Sequence, residues 1–141
     1  MMGELRVKAD FRALDRVRAF LRHSFRGIDL AEEDYFKIEL SLYEIAVNII
    51  LYAYPAEKGD LVLRTWFEGG KAFFEFRDTG ISFDPRRAAP PDILEKLREQ
   101  RRGGFGIYLS KTFMDGFEYR REHGQNVLTV FKTLSLAADS V

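Results

Sequence analysis

Two polar residues at helical spacing, Glu44 and Asn48, are the first candidates for chemistry in this sequence. They lie in segment 39–54 (ELSLYEIAVNIILYAY), so on a helix they stack on one face, about one turn apart. Ser41 and Tyr52 fall on the same flank. A carboxylate one turn from a carboxamide is suited to placing a general base beside a metal ligand. The alternative interpretation is the polar rim of an amphipathic helix.

A second candidate is Asp78, which ends a run of alternating residues and is followed by Thr79 and Gly80. Side chains alternate along a strand, so Asp78 shares a face with three apolar residues, Ala72, Phe74 and Phe76. A charge at the end of a core face is costly unless it is hydrogen-bonded or lies at the mouth of a pocket. The residues alone leave both of these explanations open.

A third candidate is the glycine-rich turn Gly103-Gly104-Phe105-Gly106, which runs directly into a predicted helix, IYLSKTFM. Such a turn offers bare backbone N–H groups and the positive end of a helix dipole, a combination that holds phosphate. The alternative is that the glycines only allow the chain to turn.

The first half of the chain is predicted to form a strand and two helices that carry these groups. Alternation over residues 5–9 predicts a half-buried strand. Asp10 is predicted as the N-cap of a helix that stops at Gly27. Asp29, with Glu32 three positions on, predicts a capping box for a long second helix that ends before Pro55.

The second half predicts two hairpins separated by a long connection. Residues 61–68 and 71–78 read as strands joined by a tight turn at Gly69-Gly70. Residues 117–122 and 127–134 form the second predicted hairpin, joined by residues 123–126. The proline-containing stretch 81–102 between the hairpins is long enough to indicate a functional or mobile loop.

Composition favours one domain and excludes several classes of function. The chain has 141 residues, is 46% hydrophobic and has a formal net charge of zero, which gives no electrostatic case for nucleic acid or an anionic membrane. It contains no cysteine, so it has no disulfides and no thiol chemistry. We see no signal peptide and no run of bilayer length, so a cytoplasmic protein is the default expectation.

Three motifs in order, EIAVNIILYAYP, DTGISFDP and GGFGIYLSKTFMD, resemble the ATP-binding domain shared by gyrase, histidine kinases, mismatch-repair ATPases and a heat-shock chaperone. Within that group the chain is most similar to the bacterial anti-sigma-factor serine kinases, over residues 7–134. The resemblance implies an α+β fold, a two-layer α/β sandwich with helices on one face of a mostly antiparallel sheet of four or five strands. It also implies a lid at about 81–103 over the nucleotide, and a flexible tail is expected at 136–141.

The resemblance also implies roles for individual residues. Asn48 would ligate Mg²⁺ between the phosphates of ATP, and Glu44 would act as general base. Asp78 would accept a hydrogen bond from the adenine amino group, while Gly80 would let the backbone approach the base. The phosphates would contact the turn that holds Gly104, Phe105 and Gly106. Arg101 and Arg102 would either touch the phosphates or remain solvated.

Two positions depart from the family pattern. Ser82 stands where a second glycine is frequent, and Tyr52 stands where histidine is frequent. Serine restricts the backbone more than glycine does. These changes are therefore expected to affect the lid hinge, the adenine contact and the rate of turnover.

The leading hypothesis is an ATP-dependent regulator of the anti-sigma type, which binds a sigma factor or its antagonist and phosphorylates a Ser or Thr of the antagonist. The alternative is a module that sequesters a partner without kinase activity, through an apolar surface of Val47, Ile50 and Leu51. The catalytic half of a histidine kinase is disfavoured, because neither His23 nor His123 lies in a recognisable phosphoacceptor helix. Family members often form homodimers, so a homodimer is a further expectation.

Overall fold

The computed structural model describes residues 2–82 and 112–135. These residues form one sheet and a pair of α-helices, with a π-helical segment at Ile49–Ala53. The elements in chain order are β1 (Met2–Lys8), α1 (Ala13–Ser24), α2 (Glu32–Asn48), β2 (Asp60–Glu68), β3 (Lys71–Asp78), β4 (Gly116–Glu122) and β5 (Gln125–Thr133). The predicted lid beyond residue 82, the turn at 103–106 and the tail at 136–141 lie outside the described residues.

The sheet has five strands in the order β1-β2-β3-β5-β4, and every neighbouring pair is antiparallel. Both predicted hairpins are present. Gly69 and Gly70 join β2 to β3 with φ of 58° and 75°, values that glycine adopts without strain. The predicted α+β class, with helices on one face of an antiparallel sheet, is confirmed.

The core lies between the two helices and the inner face of the sheet. Phe25, at the end of α1, meets the ring of Tyr35 on α2 at 5.8 Å and the ring of Phe67 on β2 at 5.3 Å, both edge to face. The alternating residues Phe74 and Phe76 of β3 are fully buried beneath the helices. The buried residues Ile38, Leu42, Ile45 and Ala46 of α2 belong to the same core.

Both predicted helix caps are wrong. Oδ1 of Asp10 accepts the backbone N–H of Arg12 at 3.0 Å, which forms a turn before α1, and the N-cap position is Arg12. The N-cap of α2 is Ala31, and no side chain caps it. Instead, the N–H of Ala31 donates to the carbonyl of Ser135, and the N–H of Ser135 donates to Asp34. A segment distant in sequence thus replaces the local capping box.

The second helix ends before Pro55, as predicted, but its last turn is π-helical. The ammonium group of Lys58 donates to the carbonyl of Ile50 at 2.8 Å, which satisfies an oxygen that this wider turn leaves exposed. Val47 and Ile50 are buried within the chain itself, and only Leu51 of the proposed partner surface is exposed. That three-residue surface is therefore not available in the form predicted.

The outer face of the sheet carries aromatic and charged rows. Trp66 and Phe73 stack with parallel rings 5.2 Å apart. Beside them, Glu75 is 8% exposed and accepts a hydrogen bond from Nε of Arg77 at 2.7 Å. Within residues 2–82 and 112–135, no helix has the length and apolarity to cross a bilayer.

Candidate functional site

A pocket opens where the end of α2, its π-helical continuation and the inner face of the sheet meet. Its apolar wall is formed by Ile45, Ile49, Ala53, Phe76, Ile81 and Leu128. Five polar side chains complete the lining: Asn48, Tyr52, Asp78, Tyr119 and Asn126. An apolar cleft with a few convergent polar groups is the usual form of a small-molecule site.

Among the described residues that line this pocket, Asp78 is the charged one, and it is 6% exposed. Its Oδ1 accepts two hydrogen bonds, from the backbone N–H of Gly80 at 2.9 Å and from Nδ2 of Asn126 at 2.9 Å. Burial raises the pKa of Asp78 above the ordinary 3.8, while these two donors and the charge of Arg121 oppose that rise. The carboxylate is thus held in a fixed orientation at the pocket wall.

Gly80 lies against the backbone of the π-helical segment. The N–H of Ile81 donates to the carbonyl of Ala53 at 2.8 Å, which ties the turn after β3 to the end of the helix. A Cβ on Gly80 would lie 2.6 Å from the carbonyl carbon of Ala53 and closer still to its oxygen. The glycine is therefore required by close packing of two backbones rather than by an unusual φ angle.

Gly80→Ala is expected to destabilise the protein by about 2–3 kcal/mol, because backbone atoms on both sides have to move to admit one methyl group. The change displaces Asp78 and Ile81 together, so the pocket is expected to lose ligand binding as well. Equilibrium unfolding in urea measures the first effect.

The matched control is Gly3→Ala on β1. There the nearest atoms to a new Cβ belong to the ring of Phe20 at 3.4 Å, an ordinary contact. The free energy of unfolding of this control is expected to change by less than about 1 kcal/mol. Equal stability of the two variants would show that the contact between Gly80 and Ala53 is not tight in solution.

Asn48 is the last residue of α2 and is 7% exposed. Within the described part of the chain its carboxamide makes no hydrogen bond, although it lines the pocket, so its oxygen is available to an incoming cation. Mg²⁺ is commonly held by few protein oxygens together with phosphate and water, so this side chain fits such an ion. Glu44 lies one turn earlier on the same helix, is half-buried and does not line the pocket.

Tyr54 connects the end of the helix to the strands that carry the site. Its hydroxyl donates to the carbonyl of Asp60 at 2.6 Å and accepts the N–H of Thr79 at 2.8 Å. Because Thr79 follows Asp78 directly, this bond fixes the turn in which Asp78 ends. In the sequence, Tyr54 stands out only as part of the helical stretch 39–54.

The site also contains Asn126, a functional candidate that was not predicted from the sequence. The turn of the second hairpin is only His123-Gly124, so Asn126 lies inside β5 rather than in a loop. It pairs with Asp78 across the sheet and faces inward with Leu128. The alternation of side chains that identified Asp78 could also have identified Asn126, because this polar residue lies two positions before Leu128, which faces inward.

The predicted site residues are therefore brought together in part. Asn48 and Asp78 line one pocket, and Gly80 packs against its rim. Of the two departures from the family pattern, Tyr52 lines the pocket and Ser82 is exposed with its Oγ 3.5 Å from the hydroxyl of Tyr119. The predicted phosphate contacts, Gly104, Phe105 and Gly106, lie outside the described residues.

Comparison with curated proteins finds relatives of moderate identity. The serine/threonine-protein kinase BtrW of Bordetella bronchiseptica is 28% identical over 96 residues, which cover 67% of this chain and 68% of that protein. The anti-sigma F factor of a Thermoanaerobacter species is 25% identical over 101 residues, covering 72% of this chain and 71% of that protein. The serine-protein kinase RsbW of Staphylococcus aureus is 25% identical over 130 residues, covering 88% and 82%.

Among solved structures, a crystal structure of the RsbU and RsbW domains of a Mycobacterium tuberculosis protein superposes with a TM-score of 0.63 at 19% identity. The match covers 94% of this chain and 32% of that one, and at this low identity it bears on the fold alone. Residues 7–132 match the family described as the histidine kinase-like ATPase domain. That match spans both helices and all of the sheet except residues 2–6 and 133, and the chain belongs to the histidine kinase-like ATPase domain family.

Proposed function

We propose that the pocket beside Asp78 binds ATP with Mg²⁺. The observation that carries the proposal is the pair of polar groups left available there. Oδ1 of Asp78 is occupied by two protein donors, which leaves Oδ2 to accept a hydrogen bond from the amino group of adenine. The carboxamide of Asn48, which lines the same pocket, is available to the metal. Mg²⁺ would supply charge neutralisation of the phosphates at this position.

We further propose that the chain is an anti-sigma-type regulator that phosphorylates a Ser or Thr of an antagonist protein. Support comes from the names of the relatives, which include serine kinases and an anti-sigma factor, at about 25% identity. Phosphoryl transfer needs positioning and charge neutralisation more than covalent chemistry by the protein. Glu44, one turn from Asn48, would take the proton of the substrate hydroxyl. The turn holding Gly104, Phe105 and Gly106 would contact the phosphates.

Saturating ATP with Mg²⁺ is expected to raise the melting temperature of the protein by several degrees. A ligand present at 100 times its dissociation constant stabilises the native state by about 2.7 kcal/mol. Differential scanning fluorimetry of the full chain measures the shift, with Mg²⁺ and tripolyphosphate as the matched control because this anion lacks the base that Asp78 would contact. An equal shift with tripolyphosphate would contradict base recognition at Asp78.

The alternative function is a nucleotide-binding module that sequesters its partner without transferring phosphate. The position of Glu44 supports a module without phosphate transfer, because its side chain does not line the pocket. ATP binding combined with no transfer of labelled γ-phosphate to an antagonist protein would support it. The buried positions of Val47 and Ile50 mean that such a module would use a different surface from the one first suggested by the sequence.

A further inference from the structure

Asn126 makes four side-chain hydrogen bonds, the full number that a carboxamide can form with two donors and two lone pairs. Nδ2 donates to Oδ1 of Asp78 at 2.9 Å and to the carbonyl of Ile81 at 2.7 Å. Oδ1 accepts from the hydroxyl of Tyr119 and from Nη1 of Arg121 at 3.1 Å. With 6% of its surface exposed, Asn126 is buried and held by residues of two neighbouring strands and of the turn after β3.

This arrangement fixes Asp78 at the wall of the pocket. Nη1 of Arg121 also donates to the carbonyl of Gly80 at 2.8 Å, so the same hairpin holds both sides of the turn that follows Asp78. Rotation of the Asp78 carboxylate would break the bonds to Asn126 and to the N–H of Gly80 together. The network therefore determines which of the two carboxylate oxygens a ligand meets.

We propose that Asn126 is the positioning residue for Asp78, and that it sets the preference of the pocket for a purine whose six-position bears an amino group over one that bears a carbonyl. The inference rests on the proposed binding of ATP. In this inference Asn126 acts through Asp78 and determines the base specificity.

The chemistry of the two purines gives the reason. Adenine presents an N–H donor to Oδ2 of Asp78, whereas hypoxanthine presents a carbonyl oxygen that a carboxylate repels. The repulsion holds only while Asp78 stays ionised and cannot turn away, because a protonated or rotated carboxyl group could donate to that carbonyl. Loss of the Asn126 bond weakens both restraints, because only the N–H of Gly80 and the charge of Arg121 then act on the carboxylate.

The test compares Asn126→Leu with the wild type by calorimetric titration of Mg·ATP and Mg·ITP. The variant is expected to bind ATP about tenfold more weakly, the loss typical of a hydrogen bond to a charged group. Its ratio of ATP to ITP affinity is expected to fall by a similar factor. The matched control is Gln125→Met, a carboxamide on the same strand that faces the other side of the sheet and accepts from Arg77. This control is expected to keep both affinities.

The pH dependence of ATP binding gives a second readout that a purely structural role would not move. The N–H of Asn126 lowers the pKa of Asp78, and so do the N–H of Gly80 and the charge of Arg121. Within residues 2–82 and 112–135, the other ionisable side chains on the pocket lining are Tyr119 and Tyr52. Removing the Asn126 donor is therefore expected to shift the loss of ATP binding on acidification to higher pH.

Two milder variants keep the test decisive if Asn126→Leu does not fold. Asn126→Asp retains the acceptor for Tyr119 and Arg121 but places a second carboxylate beside Asp78, and Tyr119→Phe removes one donor to Asn126. Both are expected to lower the ratio of ATP to ITP affinity, the first more than the second. A folded variant that keeps the wild-type ratio and pH profile would overturn the inference. Absence of any ATP binding by the wild type would instead overturn the proposed function.

Discussion

Asp78→Asn is expected to lower ATP affinity by about 100-fold while leaving the protein folded. The new carboxamide would keep its oxygen toward the donors of Gly80 and Asn126, because those two bonds require an acceptor. Its NH₂ group would then face the pocket, where the adenine amino group also brings a donor. The NH₂ group and the adenine amino group would oppose each other as two donors, where the wild type has a hydrogen bond to a charged carboxylate. Isothermal titration with Mg·ATP measures the loss of affinity.

The same variant is expected to be at least as stable as the wild type without nucleotide. Burial raises the pKa of Asp78 above 3.8, so the native protein binds this proton more tightly than the unfolded chain does. The ionised group therefore costs stability above its folded pKa, and the cost disappears as the pH falls through that value. The stability advantage of Asp78→Asn is expected to shrink as the pH falls through the raised pKa of Asp78 toward 3.8, and urea unfolding at a series of pH values measures it.

Glu75→Gln is the matched control, because it is a carboxylate of the same strand on the opposite face of the sheet. Glu75 accepts from Arg77 at 2.7 Å and lies within 4.0 Å of Arg64 and Arg120, so its neutralisation is expected to lower stability. ATP affinity is expected to stay within about twofold. A loss of affinity equal to that of Asp78→Asn would mean that removing a negative charge from β3, and not base recognition at Asp78, explains both.

The fold was predictable because hydrophobic periodicity and turn residues act locally. Strand β3 shows why: alternation in residues 71–78 defined its core face, and Gly69-Gly70 defined the turn before it. The same parity placed Asp78 at the end of that face. The resemblance of three motifs to a known family supplied the order of the remaining pieces.

The parts that sequence reasoning missed depend on contacts between distant residues. The cap predicted at Asp29 is absent because the segment around Ser135, about a hundred residues further on, occupies the start of α2. The π-helical turn at Ile49–Ala53 has no local signature, and Lys58 satisfies one of its carbonyls from outside the helix. Asn126 was assigned to a loop because the length of a hairpin turn cannot be read from polarity alone.

These incorrect predictions bear on function because the elements concerned surround Asp78, the charged group among the described residues of the pocket. The wider π-helical turn brings the carbonyl of Ala53 to the N–H of Ile81, and the shorter hairpin turn brings Asn126 to Asp78. Both contacts act on the turn that holds Gly80. Strand β3 supplies the carboxylate of Asp78. The π-helical turn and the turn of the second hairpin determine its orientation, and these two elements were predicted less well from the sequence alone.

Glu44→Gln is expected to reduce transfer of γ-phosphate to an antagonist protein by about 1,000-fold, within the range for loss of a general base. Glutamine has the same shape but cannot accept the proton of the substrate hydroxyl. ATP affinity is expected to stay within about twofold, since Glu44 does not line the pocket. Labelled γ-phosphate in a single-turnover assay measures transfer, and titration of Mg·ATP measures binding on the same preparation.

Glu39→Gln on the same helix serves as the control, because it changes the charge of α2 equally at a position more than one turn away from Glu44. Normal transfer by Glu39→Gln and none by Glu44→Gln would separate a general base from an electrostatic effect of the helix. If Glu44→Gln transferred phosphate at the wild-type rate, another group would have to take the proton. If the wild type itself bound ATP without transfer, the chain would act by sequestering its partner.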